Sequence, residues 1–464
     1  MTERYDIAVI GSGPGGYVAA IRAAKRGAGT VLIEDDVLGG VCLNYGCIPS
    51  KNLITASSRF VSLKNSSKWG CFSADPTFDW KKIISHKNQV VKRLVKGIDY
   101  LIRKNGIDFI RGHARLRSGN QIKIEMQDGD RNIHAGKIIL ALGSKPAVIS
   151  SFNIDREKIV TSREALDWES LPEKLLIVGG GIIGCEFATM FHGFGVDVTL
   201  VEATENILSL TTLDSDIIQK LKPLMKRSGI KIKTGIKLEK ITRTNHGIRA
   251  ELADGNEINS DKAIVCIGRI PNTGNTDLEK AGVETDEKGY VHVTDHMQTQ
   301  VENIYAIGDM NGRWQLAHTA SFQGIIAADH ATGNVTDSDS GKEVPYGIFT
   351  IPPAASVGLS EEKAEKKGYD VMTSTYTWKA LPKAVTSDAT EGLLKIIADK
   401  KSDMILGAHI LGEGSPELIH EFTAAIQNKI TARDLMRVIH AHPTYSEAVQ
   451  EACGGLYDLD IHSA

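Results

Sequence analysis

Long apolar runs, an excess of basic charge and closely spaced cysteine pairs are all scarce in this sequence, and each scarcity excludes a class of protein. No apolar run reaches the ~18 residues that span a membrane. The net charge is −3 over 464 residues, so no basic face suited to nucleic acid is indicated. Only Cys42 and Cys47 lie near each other among the cysteines, whereas a four-cysteine zinc site needs a second close pair. We therefore predict no membrane span, no nucleic-acid partner and no metal site.

Glycine, by contrast, is abundant. The 45 glycines among 464 residues make about 10% of the chain against a usual ~7%, and turns that approach phosphates would account for the excess. The length suggests about three domains of ~150 residues each. Met1–Arg4 leads directly into the apolar run Ile7–Ile10, so we expect no leader and a cytoplasmic location, or an organellar matrix if a leader has been removed.

A dinucleotide-binding pattern begins near the amino terminus. The apolar run Asp6–Ile10 predicts a short buried strand, the glycine-rich turn Gly11–Gly16 follows, and Tyr17–Arg26 has a helical composition. The next predicted strand, Thr30–Ile33, ends at Glu34. This acid follows the first glycine by about 20 residues, as expected of a carboxylate that binds a ribose.

The same pattern recurs in the middle of the chain. Leu175–Val178 predicts a strand, Gly179–Gly184 repeats the glycine spacing, and a predicted helix runs to about Phe194. Val196–Val201 then leads to Glu202 at the same spacing. A single G-x-G-x-x-G is weak evidence because such glycines often serve only as tight turns, but two copies in the same context predict two dinucleotide sites.

Glu202 also indicates which dinucleotide the second site takes. Its carboxylate can accept hydrogen bonds from both hydroxyls of an adenosine ribose and would repel a 2′-phosphate. No arginine lies at positions 203–206 to bind such a phosphate. The second site is therefore expected to prefer NAD(H) to NADP(H). The alternative is a solvated acid at a strand end.

Three further apolar runs end in a similar way. Two of them end in turns at Gly143 and Gly268, each shortly before a proline. A third, Ile304–Asp309, closes with an acid. Because a carboxylate at a strand end can bind a chain of hydroxyl groups, Asp309 is a candidate cofactor ligand.

Cys42 and Cys47 follow directly after the first dinucleotide pattern. Two thiols beside a redox cofactor can pass an electron pair between a disulfide and that cofactor. The alternatives are half of a zinc site or an inert structural disulfide, which is rare in cytosolic proteins. Gly46 is expected to loosen the helix enough for the two cysteines to meet, and Pro49 to pin the following turn.

The segments Cys42–Lys51 and His440–Glu447 resemble those of the pyridine nucleotide–disulfide oxidoreductases, which are flavoproteins of the glutathione-reductase fold. The resemblance runs from about Tyr5 to about Cys453, and the ending Ile48–Lys51 is typical of the branch that oxidises dihydrolipoamide. It implies an α/β fold with two Rossmann-like dinucleotide-binding domains and a C-terminal α+β dimerisation domain, in a homodimer.

The resemblance also implies a domain order and two cofactors. An FAD-binding part (1–149) is followed by an NAD-binding part (150–271), a central part that completes the FAD domain (272–345), and an interface domain (346–464). Residues 331–345 are polar and linker-like. The residues expected to bind FAD include Gly11, Gly13, Gly16, Glu34 and Asp309. Those expected to bind NAD include Gly179, Gly181, Gly184 and Glu202. The cofactor-binding set is completed by Lys51, Gly143, Gly268 and Ala317.

Catalytic roles follow from the same resemblance. Cys42 would exchange with substrate and Cys47 would contact the flavin. His442 would act as the base, oriented by Glu447, and this pair would reach the disulfide of the other subunit. The structural alternatives are an ordinary histidine and a capping box, from Thr444 to Glu447, that begins the last helix.

The resemblance places Lys51 and Glu186 near the flavin and the nicotinamide. A positive charge there stabilises reduced flavin, and Glu186 would keep the lysine paired. As surface helix residues they would have no such role. Tyr45, Leu142 and the turn Ile351–Ala354 depart from the family pattern, which leaves the shape of the substrate pocket and the local packing open.

The implied activity is that of an FAD-dependent, NAD-linked oxidoreductase that oxidises protein-bound dihydrolipoamide with ping-pong kinetics. The first strand begins at about Tyr5, so no lipoyl domain is expected before it. A partner is therefore implied by analogy, either a lipoylated acyltransferase or the glycine-cleavage carrier protein. Two other functions stay open: reduction of another disulfide or of a metal ion, and a mainly docking role in a larger assembly.

Overall fold

The computed structural model describes residues 3–72, 75–334, 338 and 343–462. Within these ranges the core is divided among two sheets that carry the glycine patterns and an antiparallel sheet near the carboxy terminus. This is the α/β organisation expected from the sequence. No helix in the described ranges is both long and apolar enough to cross a membrane.

The amino-terminal region forms a mostly parallel sheet covered by helices. Its elements are β1 (Glu3–Ile10), α1 (Pro14–Lys25), β2 (Thr30–Glu34), α2 (Gly40–Tyr45), α3 (Cys47–Lys64), α4 (Trp80–Lys104), β3 (Asp108–Arg111), β4 (His113–Ser118), β5 (Gln121–Glu125), β6 (Arg131–Leu140) and β7 (Ser144–Pro146). The sheet order is β3-β2-β1-β6-β5-β4. Ile7–Ile10 are buried, because β1 lies between parallel neighbours under helices. The strand before the first glycine loop and the helix after it are therefore held rigidly.

The middle region repeats this arrangement. Its elements are β8 (Ile159–Thr161), α5 (Ser162–Ala165), β9 (Lys174–Val178), α6 (Ile182–Gly193), β10 (Asp197–Val201), α7 (Ser215–Ser228), β11 (Lys231–Lys233), β12 (Leu238–Thr244), β13 (Gly247–Leu252), β14 (Glu257–Ser260), β15 (Lys262–Val265) and β16 (Arg269–Pro271). The parallel order is β11-β10-β9-β15-β8, and β12-β13-β14 form a separate antiparallel sheet. The two predicted strand–glycine–helix–strand units thus form as expected.

The middle region is joined to the rest by a narrow ribbon. β7 pairs with β16 antiparallel, with Pro146 opposite Arg269 and Ser144 opposite Pro271. The chain therefore leaves the amino-terminal sheet and returns to it at the same place. This agrees with a domain inserted at about 150–271, a boundary that stays a prediction.

The next region adds β17 (Ile304–Ala306) and α8 (Ala317–Ala331). β17 pairs in parallel with β6, so this region joins the amino-terminal sheet. A Cβ atom at Gly324 of α8 would lie 2.5 Å from the Gly15 carbonyl oxygen of α1, which explains how these helices approach so closely. Residues 335–337 and 339–342 of the expected linker at 331–345 lie outside the described residues.

The carboxy-terminal region is an antiparallel sheet with helices packed on it. Its elements are β18 (Tyr346–Ile348), β19 (Ala354–Gly358), α9 (Glu361–Lys366), β20 (Val371–Thr377), α10 (Pro382–Thr386), β21 (Leu393–Asp399), β22 (Ile405–Leu411), α11 (Ser415–Gln427), α12 (Ala432–Met436) and α13 (Glu447–Gly455). The order is β18-β19-β22-β21-β20. Trp378 and Phe422 are fully buried in its core. The apolar pattern of the sequence predicts a helix at Glu417–Lys429, and α11 begins and ends two residues earlier.

Candidate functional site

A large cavity of about 1590 Å³ lies where the amino-terminal, middle and carboxy-terminal regions meet. Both glycine loops, the cysteine segment and the carboxy-terminal strand β18 contribute to its lining. Sites for a single small molecule usually occupy ~300–1,000 Å³. The volume therefore suits two extended ligands that meet near the cysteines.

The first glycine loop is shaped by three glycines with different tasks. Gly11 has a φ of 97°, and a Cβ there would lie 2.3 Å from the Ala141 carbonyl oxygen. A Cβ at Gly16 would lie 1.8 Å from the Gly11 carbonyl oxygen, whereas nothing lies within 4 Å of one at Gly13. The outer glycines thus close the turn and the middle one leaves space before the amino end of α1. That space fits a pyrophosphate, which would accept hydrogen bonds from the unpaired N–H groups at the start of the helix.

The second loop has the same geometry. Gly179 has a φ of 105°, and its Cβ would lie 2.3 Å from the Cys266 carbonyl oxygen. A Cβ at Gly184 would lie 1.9 Å from the Gly179 carbonyl oxygen, and nothing lies within 4 Å at Gly181. Two sequences of different composition have thus built one shape, which fits a second dinucleotide.

Each predicted ribose acid is held against its own loop. Glu34 accepts hydrogen bonds from the Ser12 N–H at 2.8 Å and the Ser12 hydroxyl at 2.6 Å. Glu202 accepts hydrogen bonds from the Gly180 N–H at 2.5 Å and the Thr204 N–H at 2.7 Å. These equivalent hydrogen bonds hold each carboxylate at the opening of its own glycine loop. Ser12 and Thr204 were not predicted, because a hydroxyl near a glycine turn has no distinctive spacing.

The cysteine segment is broken where the sequence suggested. α2 ends at Tyr45, α3 begins at Cys47, and Gly46 between them has φ −143° and ψ −113°. A Cβ at Gly46 would lie 3.1 Å from the Val41 carbonyl oxygen, so a side chain would crowd the turn. The break brings the Cys42 and Cys47 thiols within hydrogen-bonding reach of each other, both in the free form.

The two thiols differ in acidity. The hydrogen bond from Cys42 lowers the pKa of Cys47 to about 7 despite burial, and the Lys51 ammonium adds to the effect. The same hydrogen bond, together with burial, raises the pKa of Cys42. Cys47 is therefore the thiolate of the pair near neutral pH, and the thiolate is the reactive form.

Lys51 and Glu186 form a paired charge beside these thiols. The Lys51 Nζ lies 2.9 and 2.7 Å from the two carboxylate oxygens of Glu186, whose side chain is 3% exposed. Glu186 also accepts a hydrogen bond from the Phe349 N–H at 3.0 Å, and Lys51 lies 4.8 Å from the centre of the Phe349 ring. This pair therefore links α3, α6 and the carboxy-terminal region at the cavity wall.

The two charges of this pair should shift the pKa of Cys47 in opposite directions. We expect Lys51→Met to raise the pKa of Cys47, because a nearby cation is lost. Glu186→Gln should lower it, because a nearby anion is lost. The pKa is read from the pH dependence of Cys47 alkylation in the reduced enzyme, with Lys64→Met on the same helix as a control. Shifts of the same sign in both variants would contradict the electrostatic explanation.

The remaining predicted cofactor residues lie on the same cavity. Gly143 and Gly268 have φ values of 67° and 122°, with open space where a Cβ would be. Asp309 accepts a hydrogen bond from the Ser144 hydroxyl, and Ala317 begins α8. The predicted strand Ile304–Asp309 ends at Ala306, because Gly308 (φ 73°) turns the chain into a short 3-10 helix that carries Asp309.

His442 and Glu447 are paired, but they do not line this cavity. The His442 Nδ1 lies 2.8 Å from the Glu447 Oε1, and the His442 side chain is 67% exposed. Although burial opposes it, the contacts with His442 and the Thr444 N–H keep the pKa of Glu447 below its usual value. In one subunit the predicted base is therefore separate from the cysteine pair.

The predicted capping box is only half formed. Glu447 Oε2 accepts a hydrogen bond from the Thr444 N–H at 2.8 Å, but the Thr444 hydroxyl donates to the Ala441 carbonyl oxygen instead. The helix begins at Glu447 after the N-cap Ser446, two residues too late for a complete box. Glu447 thus supports the turn with one oxygen and holds His442 with the other.

Two groups of side-chain contacts were not predicted from the sequence. The Arg163 guanidinium lies 3.7 Å from the centre of the Tyr45 ring and 3.2 Å from Asp36, so Tyr45 ties the cysteine segment to α5. His440 is paired with Glu421 at 2.8 Å. Neither pair has a recognisable spacing in the sequence, because both join residues from separate elements.

Comparison with known proteins identifies the family. The model of the pyridine nucleotide-disulphide oxidoreductases matches residues 5–324, and the model of their dimerisation domain matches residues 344–453. The dihydrolipoyl dehydrogenase of Chlamydia muridarum is 39% identical to this chain over 464 residues, which cover 100% of this chain and 99% of that protein. The dihydrolipoyl dehydrogenase of Bacillus subtilis is 37% identical and covers 100% of both.

Solved structures show the same relationship. The flavoprotein disulfide reductase RclA from Escherichia coli, in a Cu(II) complex, is 29% identical with a TM-score of 0.89, over 98% of this chain and 99% of that chain. LpdA from Mycobacterium tuberculosis is 26% identical with a TM-score of 0.91, over 97% and 99%. The dimerisation-domain match supports a homodimer. The chain belongs to the pyridine nucleotide-disulphide oxidoreductase family and is an FAD- and NAD-dependent oxidoreductase.

Proposed function

We propose that this chain is a dihydrolipoyl dehydrogenase that oxidises protein-bound dihydrolipoamide to lipoamide and reduces NAD⁺ to NADH. The observation that carries the proposal is the Cys42–Cys47 pair at the junction of two glycine loops, where one thiol has a pKa of about 7. Full-length relatives of this name support it. Bound FAD would accept the electron pair from the dithiol and deliver it as a hydride to NAD⁺.

The proposed exchange begins with the oxidised pair. Because Glu447 holds the Nδ1 of His442, the Nε2 is left to take the proton from a substrate thiol. The substrate thiolate attacks the sulfur of Cys42, the Cys42–Cys47 bond breaks, and Cys47 leaves as the thiolate. The second substrate sulfur then attacks the mixed disulfide, which closes the cyclic product and releases Cys42. Cys42 takes up the proton that the second substrate thiol loses, and His442 keeps the first, so both substrate protons stay on the enzyme.

The proposed site is completed by a second subunit. His442 is largely exposed on the carboxy-terminal region, and the region that holds it matches a dimerisation domain. We propose that His442 and Glu447 of one subunit serve the cysteine pair of the other. The dimer should therefore be obligatory for dihydrolipoamide oxidation, and an active monomer in analytical ultracentrifugation at assay concentration would contradict this.

The decisive assay compares two reactions of the purified holoenzyme. Rapid oxidation of dihydrolipoamide with NAD⁺ and little with NADP⁺ would support the proposal. The second reaction supplies NADH or NADPH with glutathione disulfide or Cu(II), since a structurally similar protein is a disulfide reductase with a Cu(II) complex. If only the second reaction is fast, the function is reduction of another acceptor.

Glu202 should set the preference for NADH. We expect Glu202→Ala to narrow the ratio of kcat/KM for NADH over NADPH by about tenfold, because the carboxylate that repels a 2′-phosphate is lost. Glu205→Ala is the matched control, since Glu205 is an exposed acid on the same loop. An unchanged ratio in the Glu202 variant, or an equal change in the control, would contradict this assignment.

The substrate group is proposed to arrive on another protein. By analogy with the named relatives, the partner is a lipoylated acyltransferase or the glycine-cleavage carrier protein. We also propose a cytoplasmic or organellar-matrix location, since such compartments keep single thiols reduced. Co-purification from cell extract and subcellular fractionation test the two inferences separately.

A further inference from the structure

A cluster of charges with a buried ammonium and a buried carboxylate at its centre lies outside the cavity, between the middle and carboxy-terminal regions. The Lys395 side chain on β21 is 4% exposed, and its Nζ lies 2.9 Å from Asp214, 2.6 Å from Asp216 and 2.6 Å from Glu361. The Asp214 side chain is 2% exposed. A buried ammonium is tolerated only when its charge and hydrogen bonds are satisfied. The exchange proposed above uses none of these residues.

Asp214 is held by the carboxy-terminal region through several contacts. Its carboxylate accepts hydrogen bonds from the Glu361 N–H at 3.0 Å and from Lys395. Its own N–H donates to the Nδ1 of His409 at 3.2 Å, and the His409 Nε2 lies 3.0 Å from the Leu359 carbonyl oxygen. Burial lowers the pKa of His409 to about 4, which keeps Nδ1 free to accept. We call Asp214, Glu361, Lys395 and His409 the Asp214 latch.

The latch stands at the end of a segment that faces the second glycine loop. Residues 203–213 connect Glu202 to Asp214, and Leu208–Thr211 within them line the cavity. At its midpoint, this segment is fixed to the glycine loop by a hydrogen bond from the Leu208 N–H to the Gly180 carbonyl oxygen at 2.8 Å. Its carboxy-terminal end is fixed by the latch.

A hydroxyl contact reinforces the far end. The Thr212 hydroxyl lies 2.7 Å from the Ser356 hydroxyl of β19. Asp214 also caps α7 by accepting a hydrogen bond from the Asp216 N–H at 3.1 Å. The segment is thus held to a glycine loop at its midpoint and to the carboxy-terminal sheet at its far end.

We propose that the Asp214 latch positions residues 203–213 for NAD binding, so that contacts of the carboxy-terminal region outside the cavity contribute to coenzyme affinity. Asp214 and Lys395 are positioning residues in this sense. The proposal rests on the second glycine loop being the NAD site. It does not depend on dihydrolipoamide being the substrate, because NADH reduces the flavin in the absence of any dithiol.

The test is the NADH half-reaction of the Lys395→Met holoenzyme. We expect the apparent Kd for NADH, from anaerobic stopped-flow reduction of the flavin, to rise about tenfold. Flavin reduction by dithiothreitol should change less than about twofold, since the cysteine segment lies elsewhere. Lys395→Arg keeps the cation and should restore most of the affinity. The matched control is Glu362→Gln, which removes an exposed acid paired with Lys366 next to Glu361.

Three results would overturn the proposal: unchanged NADH affinity in Lys395→Met, equal losses in both half-reactions together with flavin loss, or the same effect in Glu362→Gln. If Lys395→Met does not fold, Ser356→Ala takes its place, because it removes only the hydroxyl contact with Thr212. It should raise the apparent Kd about threefold, and no change there would overturn the proposal. A wild-type enzyme that fails to oxidise dihydrolipoamide would refute the proposed function alone.

Discussion

Replacing Cys42 by serine should lower dihydrolipoamide oxidation at least about 10³-fold, because a hydroxyl cannot exchange with a disulfide. The replacement is nearly isosteric, and serine can still donate a hydrogen bond to Cys47. The break at Gly46 and the pKa of Cys47 near 7 should therefore persist. Only the sulfur that meets the substrate would be missing.

This loss can be separated from general damage by a second reaction of the same protein. Transfer from NADH to an artificial quinone needs flavin and NADH but no thiol exchange, so Cys42→Ser should keep it. Cys71→Ser, which changes an exposed single thiol, should leave both reactions intact. Retention of dihydrolipoamide oxidation in Cys42→Ser would contradict the proposed exchange, and loss of the quinone reaction would indicate a disturbed flavin site.

Replacing His442 by glutamine should lower the same oxidation by about 10²- to 10⁴-fold, the usual contribution of a general acid–base group. Glutamine has a similar length and remains polar, but it cannot take up the substrate proton. The residual rate should rise with pH, because substrate that is already deprotonated no longer needs the base. The measurement is kcat/KM for dihydrolipoamide as a function of pH.

The chain supplies a matched control for this histidine. His462 lies 2.8 Å through its Nδ1 from the Glu451 Oε1 and is 67% exposed, the same distance and exposure as in the pair of His442. Both acids lie on α13. His462→Gln should leave the rate unchanged. Equal losses in the two variants would show that the histidine–glutamate pairs only stabilise the carboxy terminus.

Features with local causes were predictable from the sequence. The strand predicted at Val196–Val201 is found at Asp197–Val201. The apolar pattern that marks a buried strand is set by a few consecutive residues. Glycine spacing predicted the loop geometry, since backbone crowding at Gly16 and Gly184 depends on neighbours in the same turn. The position of Gly46 likewise predicted the break between the cysteines.

Features that join distant segments were not predictable. Asp214 and Lys395 are 181 residues apart, and nothing near either one signals the other. Tyr45 departs from the family pattern and lines the cavity, but the contact of its ring with Arg163 had no signal in the sequence. The Thr444 hydroxyl does not form the expected cap, because it donates a hydrogen bond to the Ala441 carbonyl oxygen. Each outcome depends on tertiary packing that a local pattern does not contain.

The ribbon of β7 and β16 has an evolutionary consequence. The segment between Pro146 and Arg269 has its two ends side by side, so it can be exchanged as a cassette, as inserted domains with neighbouring termini often are, provided that the residues that hold Asp214 and Glu186 are kept. Coenzyme choice, which we assign to Glu202 within that segment, could then be inherited separately from the disulfide. A lineage would acquire a new nicotinamide donor by transplanting the cassette, while its thiol chemistry descended unchanged.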